Sequence, residues 1–169
     1  QREFHTGYKC RMRLPRWWNL PAVWVPDAFL LRQIYSGPRI VYNSAGVTCT
    51  DTIHRVHSKQ GIDPAWIAAS SMNSLTFAFA ELLGRSYGGG VLELEPTEAE
   101  RLPFPKPSTQ NDLDLERLDS VARRDHVENA VREIDEFVLK PAGLDDSDIA
   151  TLRGIWQKLS QRRIQRSKR

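Results

Sequence analysis

Arginine and tryptophan side chains are interleaved near the N-terminus, in a combination that suits contact with nucleic acid. Arg11, Arg13 and Arg16 lead directly into Trp17 and Trp18. Arginine neutralises phosphates and can bind guanine through two hydrogen bonds, and an aromatic face can stack on a base or insert between base pairs. We therefore treat Arg11, Arg13, Arg16 and Trp18 as candidate DNA contacts. Two adjacent tryptophans also suit a hydrophobic core and its rim, and that alternative stays open.

Two further groups of residues extend the candidate set. Thr50, Thr52 and His54 occur where a loop runs into a predicted strand, a position from which they could reach base edges. Arg85 and Tyr87 lie at the start of a glycine-rich turn. Such a turn allows close approach of another backbone, including that of a nucleic acid. A tight connection from a helix to a strand would need the same glycines.

The glycine-rich turn does not carry hydrolase or nucleotide chemistry. Residues 84–88 fit the G-x-S-x-G pattern of serine hydrolases, but that motif needs a strand before the serine and a helix after it. Here a predicted helix comes first and a strand follows. A phosphate-binding loop would need Gly-Lys-Ser/Thr at the start of a helix.

The acidic strand at Glu93 and Glu95 lacks the lysine that a metal-dependent nuclease site usually pairs with its acids.

No other group of residues forms a self-contained active site. Cys10, Cys49, His54 and His57 match no zinc-finger spacing. Asp51 and His54 could act as an acid–base pair, but no nucleophile accompanies them. The sequence has no Asn/Asp-Pro-Pro-Tyr/Phe motif and no strand with a Gly-rich turn into a helix that could hold S-adenosylmethionine. We therefore expect no cofactor or metal in this chain.

Composition indicates an ordinary globular domain with unevenly distributed charge. The 169 residues are 40% hydrophobic and 27% charged, and no apolar stretch reaches the ~20 residues of a membrane span. Residues 1–62 hold nine Lys/Arg against three Asp/Glu, whereas residues 151–169 carry seven bases and no acid. A basic N-terminal third suits a polyanionic partner. Basic tails, however, are often only solubilising.

Cysteine usage and the first residue give expectations about cellular context. Two cysteines are too few for a disulfide framework and suit a reducing compartment, so we expect a cytoplasmic protein. No signal peptide is visible and the first residue is Gln1. We therefore expect a processed product or, more simply, a fragment of a longer protein.

The first half of the sequence predicts short strands followed by one helix. Alternating basic and apolar residues over Tyr8–Leu14 predict a half-buried strand. Asp63 and Pro64 predict the start of a helix. Residues 65–83 are apolar on nearly every face, which is typical of a buried helix, and Gly84 ends it. Other strands are predicted at 23–25, 28–31, 39–42, 47–52 and 53–57.

The second half predicts mainly helices. A strand at 91–94 and a short helix at 96–101 lead to a proline-rich linker at 103–111. Two amphipathic helices follow, the second capped by Asp145 or Ser147. Their apolar stripes have helical spacing and consist of Val127, Ala130, Val131, Ile134, Phe137 and Val138, and of Ile149, Leu152, Ile155, Trp156 and Leu159.

Together these elements predict an α+β fold. Residues 1–105 form a β-rich recognition lobe with one buried helix, and residues 106–169 form a linker and a C-terminal helical hairpin. The hairpin is expected to pack on the β-rich lobe.

The order of the motifs resembles the C-terminal target recognition (DNA-specificity) domain of adenine-specific, S-adenosylmethionine-dependent DNA methyltransferases of restriction–modification systems. The resemblance covers about residues 8–105. It rests on Arg16-Trp17-Trp18, Val25-Pro26, Asn43, Thr50-x-Thr52-x-His54, Met72-Asn73-Ser74, Gly84-Arg85-Ser86-Tyr87-Gly88-Gly89-Gly90, and Leu92-Glu93-Leu94 through Leu102-Pro103.

The resemblance implies sequence-specific recognition of double-stranded DNA. In such enzymes an N-terminal catalytic domain binds S-adenosylmethionine and holds a flipped adenine, while the C-terminal domain reads the bases. An N-terminal methyltransferase catalytic domain is therefore the expected partner besides DNA, and methyl transfer is not expected from these residues alone. The recognition candidates are Arg11, Arg13, Arg16, Trp18, Thr50, Thr52, His54, Arg85 and Tyr87.

Two alternative functions compete with this interpretation. The chain could be a specificity domain of a restriction complex without its own methyltransferase, although such subunits normally carry two recognition repeats and long coiled helices, and only one lobe is visible. It could also be a protein–protein docking module that uses the helices of residues 112–160 as its contact surface.

Overall fold

Two small antiparallel sheets and a set of helices make up the described part of the chain. The computed structural model describes residues 7–11, 24–106, 115–124 and 126–166. The predicted α+β class is confirmed. The helices are α1 (Tyr8–Arg11), α2 (Pro64–Ser70), α3 (Ser74–Leu83), α4 (Pro96–Ala99), α5 (Leu115–Arg124), α6 (Val127–Val138) and α7 (Asp146–Arg166). The strands are β1 (Ala28–Leu31), β2 (Gln33–Ile34), β3 (Ile40–Tyr42), β4 (Ile53–Val56), β5 (Arg85–Ser86) and β6 (Leu92–Glu93).

The first sheet has the order β3-β1-β4, with both neighbours antiparallel to β1. Ala28 and Leu30 of β1 are buried, whereas Leu31 is 43% exposed. This alternation is the period of a strand with one face on the core. His54 lies opposite Leu30 in the register, so its side chain is on the core side of the sheet. Arg55 is on the opposite side.

The second sheet has the order β2-β6-β5 and is connected to the first through Arg32. The backbone N–H of Leu94 donates to the carbonyl of Arg32 at 2.9 Å. The Nε2 atom of His54 is 2.6 Å from the carbonyl oxygen of Leu94. Because a carbonyl can only accept, Nε2 carries the proton. His54 thus joins the two sheets.

Several predicted strands differ in the structure. Residues 8–11 form a helical turn rather than a strand, because the N–H groups of Cys10 and Arg11 both donate to the Gly7 carbonyl at 2.9 Å. The predicted strand at 47–52 is a loop, and so are the described residues of 23–25. Hydrogen bonds from side chains to the loop backbone replace ladder pairing there. The strands predicted near 28–31, 39–42 and 53–57 are confirmed.

The single buried helix predicted at 65–83 is two helices, α2 and α3. The break is caused by Asn73, whose Oδ1 accepts from Thr76 N at 2.9 Å and whose Nδ2 donates to the Ser70 carbonyl at 2.6 Å. These bonds cap α3 and interrupt the backbone ladder. Phe79 and Leu82 are exposed, so α3 is not buried on every face. The predicted start, with Asp63 accepting from Ala65 N, is confirmed.

The described residues of the C-terminal half form one more helix than predicted. The additional helix is α5, where Leu118 and Val121 are buried. Helices α6 and α7 occur where they were predicted. However, α7 packs mainly along α3 rather than against α6 as a simple hairpin. The rings of Phe77 and Trp156 meet edge to face at a centroid distance of 5.0 Å in this contact.

Helices from both sides of the predicted boundary at residue 105 share one hydrophobic cluster. Its buried members include Trp66 and Phe77 from α2 and α3 and Val131, Ile134 and Trp156 from α6 and α7. A second cluster lies between the sheets and the inner sides of α2 and α3, around Leu30, Ile40, Ala80, Leu92, Leu94 and Leu102. No helix in the described residues is both long and apolar enough to cross a membrane.

Two buried ionic groups connect the helices to each other. The carboxylate of Asp135, which is fully buried, accepts from Ser74 N at 2.7 Å, from Ser74 Oγ at 2.6 Å and from Arg153 at 2.8 Å. Glu81 and Arg163 form a second pair at 2.6 Å, with side chains 4% and 3% exposed. Each charge has a partner, as burial requires.

Replacing Asp135 should therefore destabilise the fold. Asp135→Ala leaves the Arg153 guanidinium and the Ser74 N–H without their acceptor, and we expect a loss of about 3 kcal/mol in the free energy of unfolding. Urea denaturation measures this. The control Glu136→Ala removes the neighbouring carboxylate, which pairs with Lys140 at the surface, and should change stability by no more than ~0.5 kcal/mol. Equal effects of the two substitutions would contradict the role of the Asp135 network.

A second prediction concerns the close approach of Gly37 to the core. A Cβ atom at Gly37, where φ is +148°, would lie 2.3 Å from a ring carbon of Phe77. Gly37→Ala should therefore lower the free energy of unfolding by about 1–3 kcal/mol. Gly154, in α7, has no heavy atom within 4 Å of the same position. Gly154→Ala should instead raise stability by about 0.5–1 kcal/mol. Thermal unfolding of both variants measures these changes, and the midpoint should fall for Gly37→Ala and rise for Gly154→Ala.

Candidate nucleic-acid interface

Strand β4 forms one edge of the first sheet and displays polar, basic and aromatic groups. We call this region the β4-edge surface and define it by Trp24, Thr50, Thr52, Arg55, His57 and Lys59. The Oγ1 atoms of Thr50 and Thr52 are 3.2 Å apart, and both residues are exposed. The structure thus brings two of the predicted contacts together. Their hydroxyl groups can each donate and accept a hydrogen bond.

The loop that carries the threonines is organised by Asn43. Its Nδ2 donates to the carbonyls of Pro26 at 2.7 Å and Val47 at 2.8 Å, and its Oδ1 accepts from Val47 N at 3.1 Å. The Thr48 hydroxyl donates to the Trp24 carbonyl at 3.2 Å. These bonds fix residues 43–48 against the segment that precedes β1. The first part of the loop, up to Thr48, is therefore anchored although most of its side chains are exposed.

An arginine and an aromatic ring are stacked beside this loop. The guanidinium carbon of Arg55 lies 5.2 Å from the ring centroid of Trp24, and the indole is 42% exposed. The His57 ring meets the same indole edge on at a centroid distance of 6.4 Å. Guanidinium groups stack favourably on tryptophan. The pair therefore presents a positively charged and an aromatic surface at one place.

Asp27 fixes the chain just after β4. One of its oxygens, Oδ2, is 2.8 Å from Nδ1 of His57 and accepts from Ser58 N at 2.8 Å. Lys59 follows and is exposed. Its ammonium has no ion-pair partner in the described part of the chain. The end of β4 thus supplies an exposed cation next to a backbone that Asp27 anchors.

A cavity of about 710 Å³ adjoins the β4-edge surface. Its walls come from the core side of the first sheet, from α2 and α4 and from the segment after α4. Apolar residues line most of it, namely Leu30, Ile40, Val56, Ile62, Trp66, Ile67, Leu102 and Phe104. Lys59 and Lys106, both exposed, also border it. Glu100 borders it as well, so the cavity can accept an apolar or aromatic group and its charged residues are of both signs.

The remaining predicted contacts lie elsewhere or have other partners. His54 also borders the cavity, but its Nε2 is engaged by the Leu94 carbonyl. Arg11 is exposed in α1. Arg13, Arg16 and Trp18 lie outside the described residues.

Arg85 and Tyr87 belong to the second sheet and the turn that follows it. Both are about half exposed, with Tyr87 at 50%. The Arg85 guanidinium donates to Glu98 from Nε at 3.2 Å and from Nη2 at 2.7 Å. The hydrogen bond from Arg85 lowers the pKa of the Glu98 carboxyl. Arg85 is therefore already neutralised, and a phosphate would have to compete with Glu98 for it.

Sequence inspection missed the contribution of Trp24, Arg55, His57 and Lys59. A signal was present, because Arg55, His57 and Lys59 alternate along β4 and the residues after it. Residues two apart in an extended chain share a face. The stacking of Arg55 on Trp24, by contrast, joins residues 31 positions apart and cannot be read from local spacing.

The cysteines and histidines do not assemble into a metal site among the described residues. No group of three or more His, Cys, Asp or Glu side chains that could hold a metal is found there. Cys49 instead has its Sγ 3.5 Å from the Ile53 carbonyl. His54 and His57 contact different partners, the Leu94 carbonyl and Asp27.

Comparison with known proteins identifies the family. The C-terminal domain of the type II methyltransferase M.Eco57I, as a family model, matches residues 1–139. A search of the curated proteins and a search of the solved structures found no match. The matched span is well over half of the 169 residues, and it confirms the predicted resemblance to a C-terminal methyltransferase domain. The chain therefore belongs to the family of type II methyltransferase C-terminal domains represented by M.Eco57I.

Proposed function

We propose that this chain recognises a specific sequence in double-stranded DNA on behalf of an adenine-specific DNA methyltransferase. The observation that carries the proposal is the match of residues 1–139 to the C-terminal domain of a type II methyltransferase. Such an enzyme must choose its target site. A domain without catalytic motifs is suited to that part of the task.

The β4-edge surface is the proposed site of base and phosphate contact. The Thr50 and Thr52 hydroxyls are exposed on the segment between residues 43–48, which Asn43 holds in place, and strand β4. Hydroxyl groups can donate to and accept from base edges in the major groove. The stacked pair of Arg55 and Trp24 offers charge for a phosphate and an aromatic face for a base. The surface thus combines groups that can bind phosphates and position the domain with groups that can hydrogen-bond to base edges and read the sequence.

Methyl transfer is assigned to a catalytic domain outside these 169 residues. That domain is expected to bind S-adenosylmethionine and to hold the flipped adenine. Extruding a base from the duplex costs a few kcal/mol. Contacts made by the recognition domain on the same duplex can offset this cost. Recognition by this chain and catalysis by its partner are therefore coupled through the DNA.

The docking-module alternative receives less support from the helices. The apolar stripes of α6 and α7 are partly buried inside this chain, with Val131, Ile134 and Trp156 no more than 4% exposed. They contact α2 and α3 rather than solvent. The centre of the predicted contact surface is therefore already covered within this chain.

Sequence selectivity is the first consequence that can be tested. The full chain, immobilised and incubated with a library of random-sequence duplexes, should enrich a short common motif over successive rounds. Specific complexes are typically 10³–10⁷ times tighter than non-specific ones, so enrichment should be evident by sequencing. A pool that stays random after several rounds would contradict the proposal. Single-stranded competitors control for unspecific retention.

A second test concerns the threonine pair. The double variant Thr50→Val/Thr52→Val keeps the shape of the side chains and removes both hydroxyls. We expect it to lose about 1 kcal/mol of preference for the enriched motif for each hydrogen bond removed, with unchanged affinity for scrambled duplexes. Thr151→Val, an exposed position in α7, is the matched control. Equal loss of affinity for both kinds of duplex would exclude base reading by these residues.

A further inference from the structure

A second groove lies between the glycine-rich turn and the last turns of α7. We call it the α7 groove. It has a volume of about 210 Å³ and is lined by Glu81, Gly84, Ser86, Leu92, Leu159, Arg162, Arg163 and Arg166. The turn at residues 84–90 and the basic C-terminal segment are far apart in the sequence. The fold brings them together in this groove.

The α7 groove carries a net positive charge. Arg162 and Arg166 are four residues apart, so they lie on the same side of the helix. Both are exposed, and neither has an ion-pair partner within the described ranges. The one acid that lines the groove, Glu81, is neutralised by Arg163 at 2.6 Å. Two guanidinium charges therefore remain uncompensated.

Arg163 fixes these charges relative to the glycine-rich turn. Its Nη1 donates to the carbonyl of Gly90, and its Nη2 donates to the carbonyl of Tyr35 at 2.9 Å. Its side chain is nearly buried. The helix cannot slide along the turn without breaking these bonds. The exposed arginines on either side of Arg163 are thus presented at a defined position beside Ser86.

The side of the groove formed by the glycine-rich turn carries only small residues and is open to solvent. Ser86 is exposed and lines the groove. Gly88 and Gly89, just beyond it, have no heavy atom within 4 Å of an added Cβ position. No side chain there blocks the approach of a phosphate backbone. A groove of about 210 Å³ has room for a phosphodiester group.

We propose that the α7 groove binds the phosphate backbone of the duplex, with Arg162 and Arg166 as the cationic contacts and Ser86 as a hydrogen-bond donor. The inference rests on the proposed DNA recognition. It adds a contact that the family match does not include, because the match ends at residue 139. Residues 151–169 hold seven bases and no acid, as expected for a polyanionic partner. Arginines that only balanced the negative end of the helix dipole would not affect DNA binding.

The salt dependence of binding separates these two roles. Each phosphate contact contributes about 0.9 to the slope of log K against log salt concentration. The double variant Arg162→Gln/Arg166→Gln should therefore make this negative slope shallower by about 1.8. The change should be the same for the enriched motif and for scrambled duplexes. The control Arg132→Gln/Lys140→Gln removes the same charge from exposed residues in and just after α6. It should leave the slope within about 0.5 of the wild-type value.

A third variant tests the turn side without changing the helix. Ser86→Asp adds a negative charge inside the groove at an exposed position. We expect it to weaken the binding of every duplex at least tenfold at low salt, with an unchanged unfolding midpoint. Ser147→Asp, an exposed position near the start of α7, makes the same substitution away from the groove and should have no such effect.

Three results would overturn the inference. A wild-type slope in the Arg162/Arg166 double variant would exclude the phosphate contact and leave sequence selectivity intact. An equal reduction in the α6 control would show that only net charge matters. A reduction seen with the enriched motif but not with scrambled duplexes would assign the groove to base reading. If the wild-type chain bound no duplex at all, the proposed function would fail together with the inference.

Discussion

The buried pair between Glu81 and Arg163 is the interaction that sets the relative position of the sheets and the C-terminal helix. Both side chains are almost fully buried, and the guanidinium also bonds the carbonyls of Tyr35 and Gly90. One side chain thus connects α3, the loop after β2 and the glycine-rich turn to α7. A buried pair contributes little net stability compared with apolar packing. Its value lies in the single arrangement that it allows, since any shift leaves buried charges without partners.

This constraint is complemented by hydrogen bonds that hold the two sheets together. His54 bonds the carbonyl of Leu94, and the N–H of Leu94 bonds the carbonyl of Arg32. The edge strand β4 is therefore not free to move relative to the second sheet. The β4-edge surface and the α7 groove are consequently joined through one network of hydrogen bonds and ion pairs. Such pre-organisation reduces the entropy lost when a duplex is bound.

Several helix boundaries could be predicted from the sequence. Asp63, Gly84 and Asp145 act as helix boundaries, because capping depends only on neighbouring residues. The break at Asn73 also rests on local hydrogen bonds, to the Ser70 carbonyl and from the Thr76 N–H, so the sequence carried a signal for it that was missed. The bond from Ser74 N to Asp135 of α6 could not be predicted, because the two residues are 61 positions apart. The burial of Arg163 was hidden for a similar reason. A basic helical segment at the C-terminus is expected to be exposed to solvent. The burial of Arg163 follows only from its pairing with Glu81 in the folded chain.

In the candidate site, too, local features could be predicted from the sequence and long-range contacts could not. Thr50 and Thr52 could be recognised because they share one loop, and the structure places them within hydrogen-bonding distance. The restraint of His54 by Leu94 and of Arg85 by Glu98 could not be anticipated, because the partners are 40 and 13 positions away in the sequence. The stack of Arg55 on Trp24 likewise needs the tertiary fold. Surface chemistry that depends on long-range pairing is visible only in the structure.

Amide hydrogen exchange of the full chain, with and without excess duplex DNA at low salt, tests the central claim most directly. Exchange reports local opening residue by residue, so it maps the bound surface without any substitution. DNA recognition through the β4-edge surface predicts slowed exchange in the loop and strand of residues 43–59, with little change in α6. Protection confined to α5 and α6, or no protection anywhere, would contradict this account of the domain.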